Sequence, residues 1–462
     1  MTLTSKLAQL KRRGAALIVS MIFILVFSAL AVSMATLSGI NIQLASNHHN
    51  VNGALASAAS GVEIIRFWLS QVAISGTTAP TERFNRIANS LQGELTANSI
   101  TNVTTSYSSS AISIPSVTLD SASASSFFAA ITPLDTETLQ IDVTGVYGTV
   151  TKTIRVNYNL GEKAQNVFDF GVATKGPLTT KGNITIAGVN VAVESNAYIE
   201  SLNSFLALTM IGNSHIAGTV KIVNPLAATD IGANAGVGGA TGADAMKHIE
   251  IGVPAVEFPE MVPAVFYSYA TNVLTTSVNL KKDVTLTNIR IPAGMNPKFS
   301  GQATFNGVVL IESPNVVEFT GGVSITGVIV TNGSPNDDSG TNQLIFRGHV
   351  ANRSVALLPE EPQFAGLQSQ TGTFIIAPGF SVSFGGTMDT LGGAIAANGV
   401  EFFGNAGGKI RGSVINYADK AMMVWGNSDL YFNRSGLTKV PAGFVPEIVL
   451  KYDPASYSEV AL

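Results

Sequence analysis

The sequence predicts an α+β protein with one long N-terminal helix, a small head that contains strands, and a large all-β body. An apolar run without charges occupies residues 15–37, and apolar positions then recur at helical spacing as far as residue 69. From residue 139 onward, strand alternation and glycine punctuation replace the helical pattern. The predicted segments are a basic leader at 1–14, the helix at 15–73, the head at 74–160 and the body at 161–462, with a Gly/Ala-rich loop at 227–245.

The N-terminal segment has the length and charge distribution of a membrane-spanning helix. Lys11, Arg12 and Arg13 precede the apolar run, and no Asp, Glu, Lys or Arg follows Arg13 until Glu63. About 20 apolar residues at 1.5 Å per residue cross the hydrocarbon core, and flanking positive charges favour the cytoplasmic side. The sequence therefore predicts a single-pass anchor at 15–37, with the rest of the chain outside the cytoplasm.

The helical pattern continues beyond the apolar run as an amphipathic stripe. Its apolar members are three, four or seven residues apart, at Leu55, Ala58, Ala59, Val62, Ile65 and Leu69. A secretory signal peptide has an apolar region of about 7–15 residues before an Ala-x-Ala-like site, and this run is longer. One continuous helix with an apolar first half and an amphipathic second half is the resulting prediction.

Residues 12–23, Arg-Arg-Gly-Ala-Ala-Leu-Ile-Val-Ser-Met-Ile-Phe, resemble the start of PilX-type minor pilins and are similar to the K-type pseudopilin of type II secretion systems. The resemblance implies that a prepilin peptidase cuts after Gly14 and that the new N-terminus at Ala15 is methylated. It also implies a non-catalytic structural subunit, without a cofactor, in the bacterial inner membrane, whose partners are other pilins or pseudopilins. A plain anchor that is never cleaved remains the alternative.

One position departs from the major-pilin pattern. Major pilins carry glutamate at the fifth mature position, which is Val19 in this chain. An unpaired carboxylate in hydrocarbon is costly, so the presence or absence of this group changes which neighbouring subunit fits. The resemblance to PilX-like and K-type proteins, which commonly lack the glutamate, implies a minor or initiating subunit rather than the repeating shaft subunit.

The head is predicted from two composition changes. Ser, Thr, Ala and Asn dominate residues 70–126, and Pro80 and Pro115 predict loops around short elements rather than a long helix. Apolar alternation on both sides of Gly145-Val146-Tyr147-Gly148 predicts a β-hairpin. This hairpin is similar to the closing strands of PilX-like heads, although any α+β domain could contain it.

The body contains a repeat in which a Val-x-Phe strand precedes a strand led by glycine. Three copies lie at 317–330, 382–396 and 400–415. Phe384 and Phe402 are 18 residues apart, and Gly393 and Gly412 are 19 apart. Such steps predict a β-solenoid, or parallel β-helix, whose coils stack the same positions on one another. The predicted internal stack contains Phe319, Phe384 and Phe402, extended by Phe305, Phe346 and Phe432. A Gly-rich β-sandwich is the alternative, but it does not explain the recurring Phe-to-Gly offset.

Candidate chemical groups are few. Asp337 and Asp338 form an adjacent acidic pair that could serve as a glycosidase pair or a weak Ca²⁺ ligand set, but the surrounding Pro, Asn, Ser and Gly predict a solvated turn. The five histidines do not form a zinc-ligand motif, and the chain has no cysteine. No catalytic residue, cofactor or metal site is therefore predicted.

Composition narrows the partners. Charged residues make up 12% of the chain and the formal net charge is −4, without a basic patch that would indicate nucleic-acid binding. Two functions other than a filament subunit stay open: a membrane-anchored surface adhesin or carbohydrate-binding β-helix protein that contacts surface glycans, and a polysaccharide lyase or hydrolase. Trp68 and Trp425 are too few to predict a sugar-stacking platform.

Overall fold

The computed structural model describes residues 4–436 and 439–460, and the side chains of residues 4–15 lie outside this description. The chain divides into two compact units. The first unit comprises Met1–Ile74, Thr78–Gly161 and Val449–Leu462, and the second comprises Ser75–Thr77 and Glu162–Ile448. The last strand thus belongs mainly to the first unit, which corrects the prediction that all of 161–462 belongs to the body.

The first unit combines two helices with one sheet whose strands differ in length. Its elements, in chain order, are α1 (Thr4–Gln71), β1 (Ala73–Ser75), α2 (Pro80–Ala97), β2 (Ser106–Tyr107), β3 (Ile112–Asp120), β4 (Ser125–Pro133), β5 (Thr138–Tyr147) and β6 (Val150–Lys163). Residues 4–14 of the predicted leader have the backbone of the same helix. The predicted hairpin around Gly145 is present as β5 and β6, which pair in antiparallel register from Thr138–Asn159 to Tyr147–Val150.

α2 corrects the prediction that residues 70–126 contain no long helix. Pro80 stands at the start of α2 rather than interrupting it, because proline lacks only an N–H that the first helical turn leaves unpaired anyway. Ile87, Ala88, Leu91 and Leu95 form its buried face. The low apolar content of the segment hid this helix from the sequence analysis.

The second unit is built from short strands and 3-10 helices. Its strands before the crossing segment are β7 (Val172–Thr174), β8 (Leu178–Gly188), β9 (Ala197–Ile199), β10 (Leu206–Ile216), β11 (Val220–Ile222), β12 (Ala228–Ile231), β13 (Gly236–Val237), β14 (Ala240–Thr241) and β15 (Ile249–Ile251). The predicted Gly/Ala-rich loop at 227–245 therefore contains strands, and it buries Ala235 and Val237.

Residues 252–271, which we call the crossing segment, connect β15 to the remaining strands of the second unit. They are β16 (Asn272–Val273), β17 (Val284–Ile291), β18 (Lys298–Phe299), β19 (Ala303–Ile311), β20 (Val316–Phe319), β21 (Val323–Thr331), β22 (Gln343–Phe346), β23 (Val350–Arg353), β24 (Thr373–Ala377), β25 (Ser381–Phe384), β26 (Thr390–Gly392), β27 (Ala394–Ala397), β28 (Val400–Phe402), β29 (Gly408–Arg411), β30 (Val414–Asn416) and β31 (Met422–Phe432). The 3-10 helices are Asn166–Asp169, Ala192–Ser195, Gly242–His248, Pro263–Tyr269, Val355–Leu357, Pro362–Phe364 and Leu367–Ser369.

The last strand, β32 (Glu447–Val460), returns to the first unit. Sheet A of that unit has the order β1-β32-β6-β5-β4-β3-β2. The amide of Asn157 in β6 donates to the Ser456 hydroxyl at 2.7 Å, and the Tyr158 and Tyr452 rings lie 5.4 Å apart. The second unit is therefore inserted in the chain between two neighbouring strands of sheet A.

The second unit contains two parallel sheets that share a stack of coils. Sheet B has the order β15-β11-β9-β7-β30-β27-β24-β21-β19-β17-β16, with β23 also beside β21. Sheet C has the order β14-β13-β10-β8-β31-β28-β25-β22-β20-β18, with β12 beside β10 and β29 joining β26 to β31. The fold-class prediction, a long helix followed by a large β-rich region with parallel sheets, is confirmed. The antiparallel sandwich alternative is excluded by this pairing.

The order of the coils along the stack differs from their order in the chain. The first coils run from the middle of the stack, at β7 and β8, to one end at β15. Residues 252–271 then cross to the other end, and the later coils return to the middle, where β31 pairs with β8 from Met422–Leu178 to Phe432–Gly188. Both ends of the second unit's chain thus meet near the middle of its own stack.

The crossing segment covers the outer face of sheet B. Its Val256 amide donates to the Tyr198 hydroxyl at 2.7 Å, and the Tyr267 hydroxyl donates to the Thr331 carbonyl at 2.9 Å. Residues 373–377 in β24 are consequently buried on both faces, whereas β25 alternates between buried and half-buried positions. This difference explains the repeat: glycine-led apolar strands form sheet B and Val-x-Phe strands form sheet C.

A phenylalanine column fills the space between the sheets. Successive ring centroids lie 4.8, 5.1, 5.0 and 5.2 Å apart along Phe299, Phe319, Phe346, Phe384 and Phe402. Two predicted members are outside the column. Phe305 comes from sheet B and meets Phe319 edge-on at 5.8 Å, and Phe432 lies on β31 opposite Gly188. The column instead begins at Phe299, whose flanking sequence carries little of the repeat.

An ionic cluster joins a segment near the start of the second unit to the residues that follow β31. Arg434, after β31, pairs with Asp169 at 3.5 Å. The buried carboxylate of Glu194 accepts hydrogen bonds from the amide of Asn190 at 2.7 Å and from the amide of Arg434 at 3.0 Å. Burial raises the pKa of Glu194, but these hydrogen bonds outweigh burial and lower it to about 2.

Candidate functional site: the apolar helix and its seat on sheet A

The first half of α1 exposes a continuous apolar surface. Large apolar side chains between residues 17 and 44 are exposed, for example 68% at Leu17 and 47% at Leu30. By length and composition, α1 from Ala16 onward can cross a membrane. Such a surface is unfavourable in water, at roughly 25 cal/mol for each Å², and is compatible with lipid or other apolar helices as its surroundings.

The polar side chains on this surface are satisfied within the helix. The hydroxyl groups of Ser20, Ser33 and Thr36 donate to the carbonyls of Leu17, Ala29 and Val32 at 2.8–2.9 Å. An unpaired hydroxyl would be costly in hydrocarbon, and this internal bonding removes that cost. The segment is thus compatible with an apolar environment at each of these three positions.

The predicted processing site lies at the edge of the described residues. Lys11, Arg12, Arg13, Gly14 and Ala15 belong to the backbone of α1, but their side chains lie outside the description. Cleavage at Gly14, methylation at Ala15 and the leader charges therefore stay predictions. Val19 lies inside the described part and is half exposed on the apolar surface.

The second half of α1 packs on β4 and β5 of sheet A. Its buried side chains include Ala54, Ser57, Ala58, Val62, Ile65, Trp68 and Leu69. Of the predicted stripe, Ala58, Val62, Ile65 and Leu69 are buried, Leu55 is half-buried and Ala59 is exposed. The buried face is rotated slightly from the predicted stripe, toward Ala54 and Ser57.

Glycines allow the helix to approach the sheet closely. A Cβ built on Gly145 in β5 would lie 2.1 Å from the amide nitrogen of Ala58 and 2.2 Å from the carbonyl oxygen of Ala54. Cβ atoms built on Gly53 and Gly61 would lie 2.6 Å from the rings of Tyr147 and Phe127. Gly53, Ser57 and Gly61 recur every four residues, and this small-residue spacing is the sequence signal that could have predicted the close contact.

Polar contacts fix the helix on the same seat. The His49 ring lies edge-on to Tyr147, with its Nε2 3.1 Å from the Tyr147 hydroxyl. The Ser57 and Ser125 hydroxyls are 2.8 Å apart, and the Arg66 guanidinium lies 5.1 Å from the centre of the Tyr452 ring. The second half of α1 therefore contacts β4, β5 and the last strand, β32, of sheet A. α1 thus continues without interruption from its apolar half to the half that packs on sheet A.

The acidic pair at Asp337 and Asp338 anchors a turn. The Asp337 carboxylate accepts hydrogen bonds from the Ser339 amide and the Asn342 side chain, both at 3.0 Å. Hydrogen bonding by the side chain and the amide of Ser339, with a smaller contribution from Asn342, lowers the pKa of Asp337. The Asp338 carboxylate accepts from Asn398 at 3.1 Å. Both carboxylates thus have structural partners, as the turn interpretation predicts.

Among residues 4–436 and 439–460, no group of three or more His, Cys, Asp or Glu side chains is arranged to hold a metal ion. Asp337 and Asp338 therefore lack a third acidic or histidine ligand within the part of the chain that is described. The weak Ca²⁺ prediction gains no support from their geometry, since Ca²⁺ takes about six to eight oxygen ligands.

Comparison with known proteins finds similarity to solved structures. No protein-family model matches the chain, and no curated protein matches it. The crystal structure of the competence-associated pilin ComZ from Thermus thermophilus is similar at 12% identity, covering 89% of this chain and 97% of that chain, with a TM-score of 0.21.

Proposed function

We propose that this protein is a minor-pilin-like structural subunit of PilX or K type, which α1 inserts in the membrane and whose second unit is a β-solenoid. One observation carries the proposal: α1 continues without interruption from an exposed apolar half to a half that is buried on sheet A. An ordinary anchor needs only about 20 residues and no rigid continuation. A subunit of a helical filament needs both parts, since its helix enters the filament core while its folded units stay outside.

The proposed mechanism is packing rather than catalysis. Between lipid and a core of neighbouring helices, the apolar half of α1 exchanges one apolar environment for another, with little change in solvation. The uncharged surface between Arg13 and Glu63 makes such a transfer feasible. Prepilin peptidase and other pilins or pseudopilins are the expected partners, and the inner membrane, with the folded units outside the cytoplasm, is the expected location.

Val19 supports a specialised position for the subunit. The side chain is apolar and half exposed, so it cannot pair with the N-terminal amine of a neighbour as a glutamate could. We propose that the subunit starts or tips an assembly rather than repeating along it. A large excess of the protein should therefore fail to enter internal positions of a filament.

The test uses the full chain in a bacterium that has a prepilin peptidase and a type IV filament system. Intact-mass measurement of the membrane-extracted protein should show the loss of residues 1–14 and the gain of a methyl group. Sheared surface filaments should contain this processed form. Gly14→Val should leave the chain at full length in the membrane and remove it from the sheared fraction.

Gly39→Val is the matched control, because Gly39 lies in the same helix and a Cβ there would meet no atom within 4 Å. This variant should be processed and incorporated as the natural chain is. An intact N-terminus in the natural chain, together with its absence from filaments, would instead support a plain anchor. Equal incorporation of the uncleaved Gly14 variant would also overturn the proposal.

A further inference from the structure

A continuous groove lies on the second unit beside β23, β26 and β29. Two adjoining cavities of about 660 and 500 Å³ share Asn352, Arg353 and Thr390 as lining residues. Small-molecule sites commonly have volumes of about 300–1,000 Å³. Because the two cavities share these residues, the groove offers more than one adjacent subsite, which suits a chain-like ligand.

Parallel register places the functional side chains of the groove in one row. Thr390 pairs with Lys409, and Lys409 pairs with Tyr431, so three neighbouring strands contribute to the row. Neighbouring strands lie about 4.8 Å apart. Arg411 follows Lys409 by two residues on β29, and both are exposed, as expected for side chains on the same face of a strand.

The floor of the groove is held by Asn352. Its Nδ2 donates to the carbonyls of Ile325 and Gly327 at 3.2 Å, and its Oδ1 accepts from the Gly392 amide at 2.8 Å. This buried amide ties β21 to β23 and β26. The cationic side chains around it are therefore carried by a rigid backbone.

The groove is cationic although the chain as a whole is acidic. Arg353 and Lys409 line the first cavity, whose carboxylate, Asp389, lies 3.4 Å from His349. Arg353, Arg411 and Lys439 line the second cavity, and its described lining contains no carboxylate. Within the described part of the chain, none of these four cations forms an ion pair. A cationic lining without internal partners selects an anionic ligand.

Apolar surface accompanies the cations. The Tyr431 ring is 38% exposed at the first cavity, and Leu357 is 67% exposed at the second. A tyrosine ring offers an apolar face with a polar tip, which suits the alternating C–H and hydroxyl surface of a sugar ring. Arginine guanidinium groups bind carboxylates in a bidentate manner.

We propose that this groove binds an acidic polysaccharide, a glycan chain that carries carboxylates along its length. Arg353 and Arg411 bind successive carboxylates, Lys409 adds a positive charge, and Tyr431 stacks on a sugar ring. Thr390 hydrogen-bonds a hydroxyl group of the glycan. The inference concerns the second unit and does not depend on incorporation into a filament.

The observations favour a glycan over a nucleic acid. Four cations around two adjoining cavities, with Asp389 among them, are few compared with the long basic surface that a nucleic acid requires. Binding to double-stranded DNA is therefore the competing result that the experiment measures.

The experiment measures binding of the full-length protein, in detergent micelles, to oligogalacturonate, to neutral dextran and to double-stranded DNA at the same salt concentration. We expect binding to oligogalacturonate that weakens as salt rises, and no measurable binding to dextran. Arg353→Gln combined with Arg411→Gln should weaken oligogalacturonate binding at least tenfold. Tyr431→Ala should weaken it several-fold while leaving the salt dependence unchanged.

Lys281→Gln combined with Lys282→Gln is the matched control, since it removes the same charge from exposed positions outside the groove. This control should change binding less than twofold. Equal weakening by both double variants would show only general charge attraction and overturn the proposal. Absence of oligogalacturonate binding, or tighter binding of DNA that the groove variants abolish, would overturn it as well.

Discussion

At the scale of single residues, the absence of a side chain decides how closely the elements approach. Gly145 lets the backbone of β5 touch the backbone of α1. A Cβ at this position would meet backbone atoms, which cannot move aside as the end of a flexible side chain could. Gly182 shows the same principle in the second unit: its φ is +121°, and an added Cβ would lie 2.1 Å from the Gly426 carbonyl oxygen. Both positions need glycine for steric reasons.

Gly145→Ala should destabilise the first unit by about 1–3 kcal/mol, because the added methyl group forces α1 away from sheet A. Thermal unfolding of the full chain in detergent, followed by near-ultraviolet circular dichroism, measures the effect. Gly93→Ala is the control, since Gly93 lies in α2 with no atom within 4 Å of a built Cβ. That change should stabilise slightly, as alanine favours helices by up to about 1 kcal/mol over glycine. Equal effects of the two variants would contradict the proposed close contact.

At the scale of elements, the strands of sheets B and C differ in whether one face or both faces of the strand are buried. Four strands of sheet B are apolar over several consecutive residues: β19, β21, β24 and β27. The phenylalanine column buries one face of these strands, and the crossing segment covers the other. Strands of sheet C alternate because only the face toward the phenylalanine column is buried. The aromatic rings of sheet C then stack from coil to coil, with planes within 8–18° of parallel.

Phe346→Ala should destabilise the second unit by about 3–5 kcal/mol, because a fully buried ring in the middle of the column leaves a cavity between Phe319 and Phe384. Chemical denaturation of the full chain in detergent, monitored by backbone circular dichroism, checks this. Phe205→Ala is the control, since its ring is 70% exposed and its loss should change stability by less than about 0.5 kcal/mol. A similar loss for both variants would argue against a continuous column.

At the scale of the whole molecule, an insertion connects the two units. Sheet A is completed only when β32 arrives after the second unit has been synthesised, because β32 lies between β1 and β6. The second unit makes this possible since its own chain ends meet near the middle of its stack. The first unit therefore depends on the last residues of the chain, whereas the second unit closes before them.

Truncation after Ile448 should expose sheet A. Without β32, β6 loses its neighbour, the Asn157 amide loses the Ser456 hydroxyl, and Tyr158 loses the Tyr452 ring. Hydrogen–deuterium exchange of the truncated chain in detergent should rise at least tenfold in β5 and β6. Exchange in β19 to β28 serves as the internal control and should not change. Unaltered protection of β6 would contradict the assigned strand order.

Local sequence determined much of this protein. The charge-free apolar run at 15–37 and the apolar stripe that follows it predict one helix, and alternation around Gly145 predicts a hairpin. The Phe and Gly spacing predicts strands that repeat by coils. In each case the pattern itself specifies which face is buried. The sequence did not predict that α2 starts at Pro80, because proline occurs both at the first position of helices and at helix breaks. Only the surrounding structure distinguishes these two roles.

Tertiary structure alone decided how distant segments meet. Backbone hydrogen bonds are the same for any parallel neighbour, so the sequence of β8 does not reveal that β31, about 240 residues later, lies beside it. The same reason hid the return of β32 to sheet A and the groove, whose Arg353, Thr390, Lys409 and Tyr431 come from four separate strands. Periodicity specifies faces and coil lengths, but closure of the stack and burial of the crossing segment select the partners.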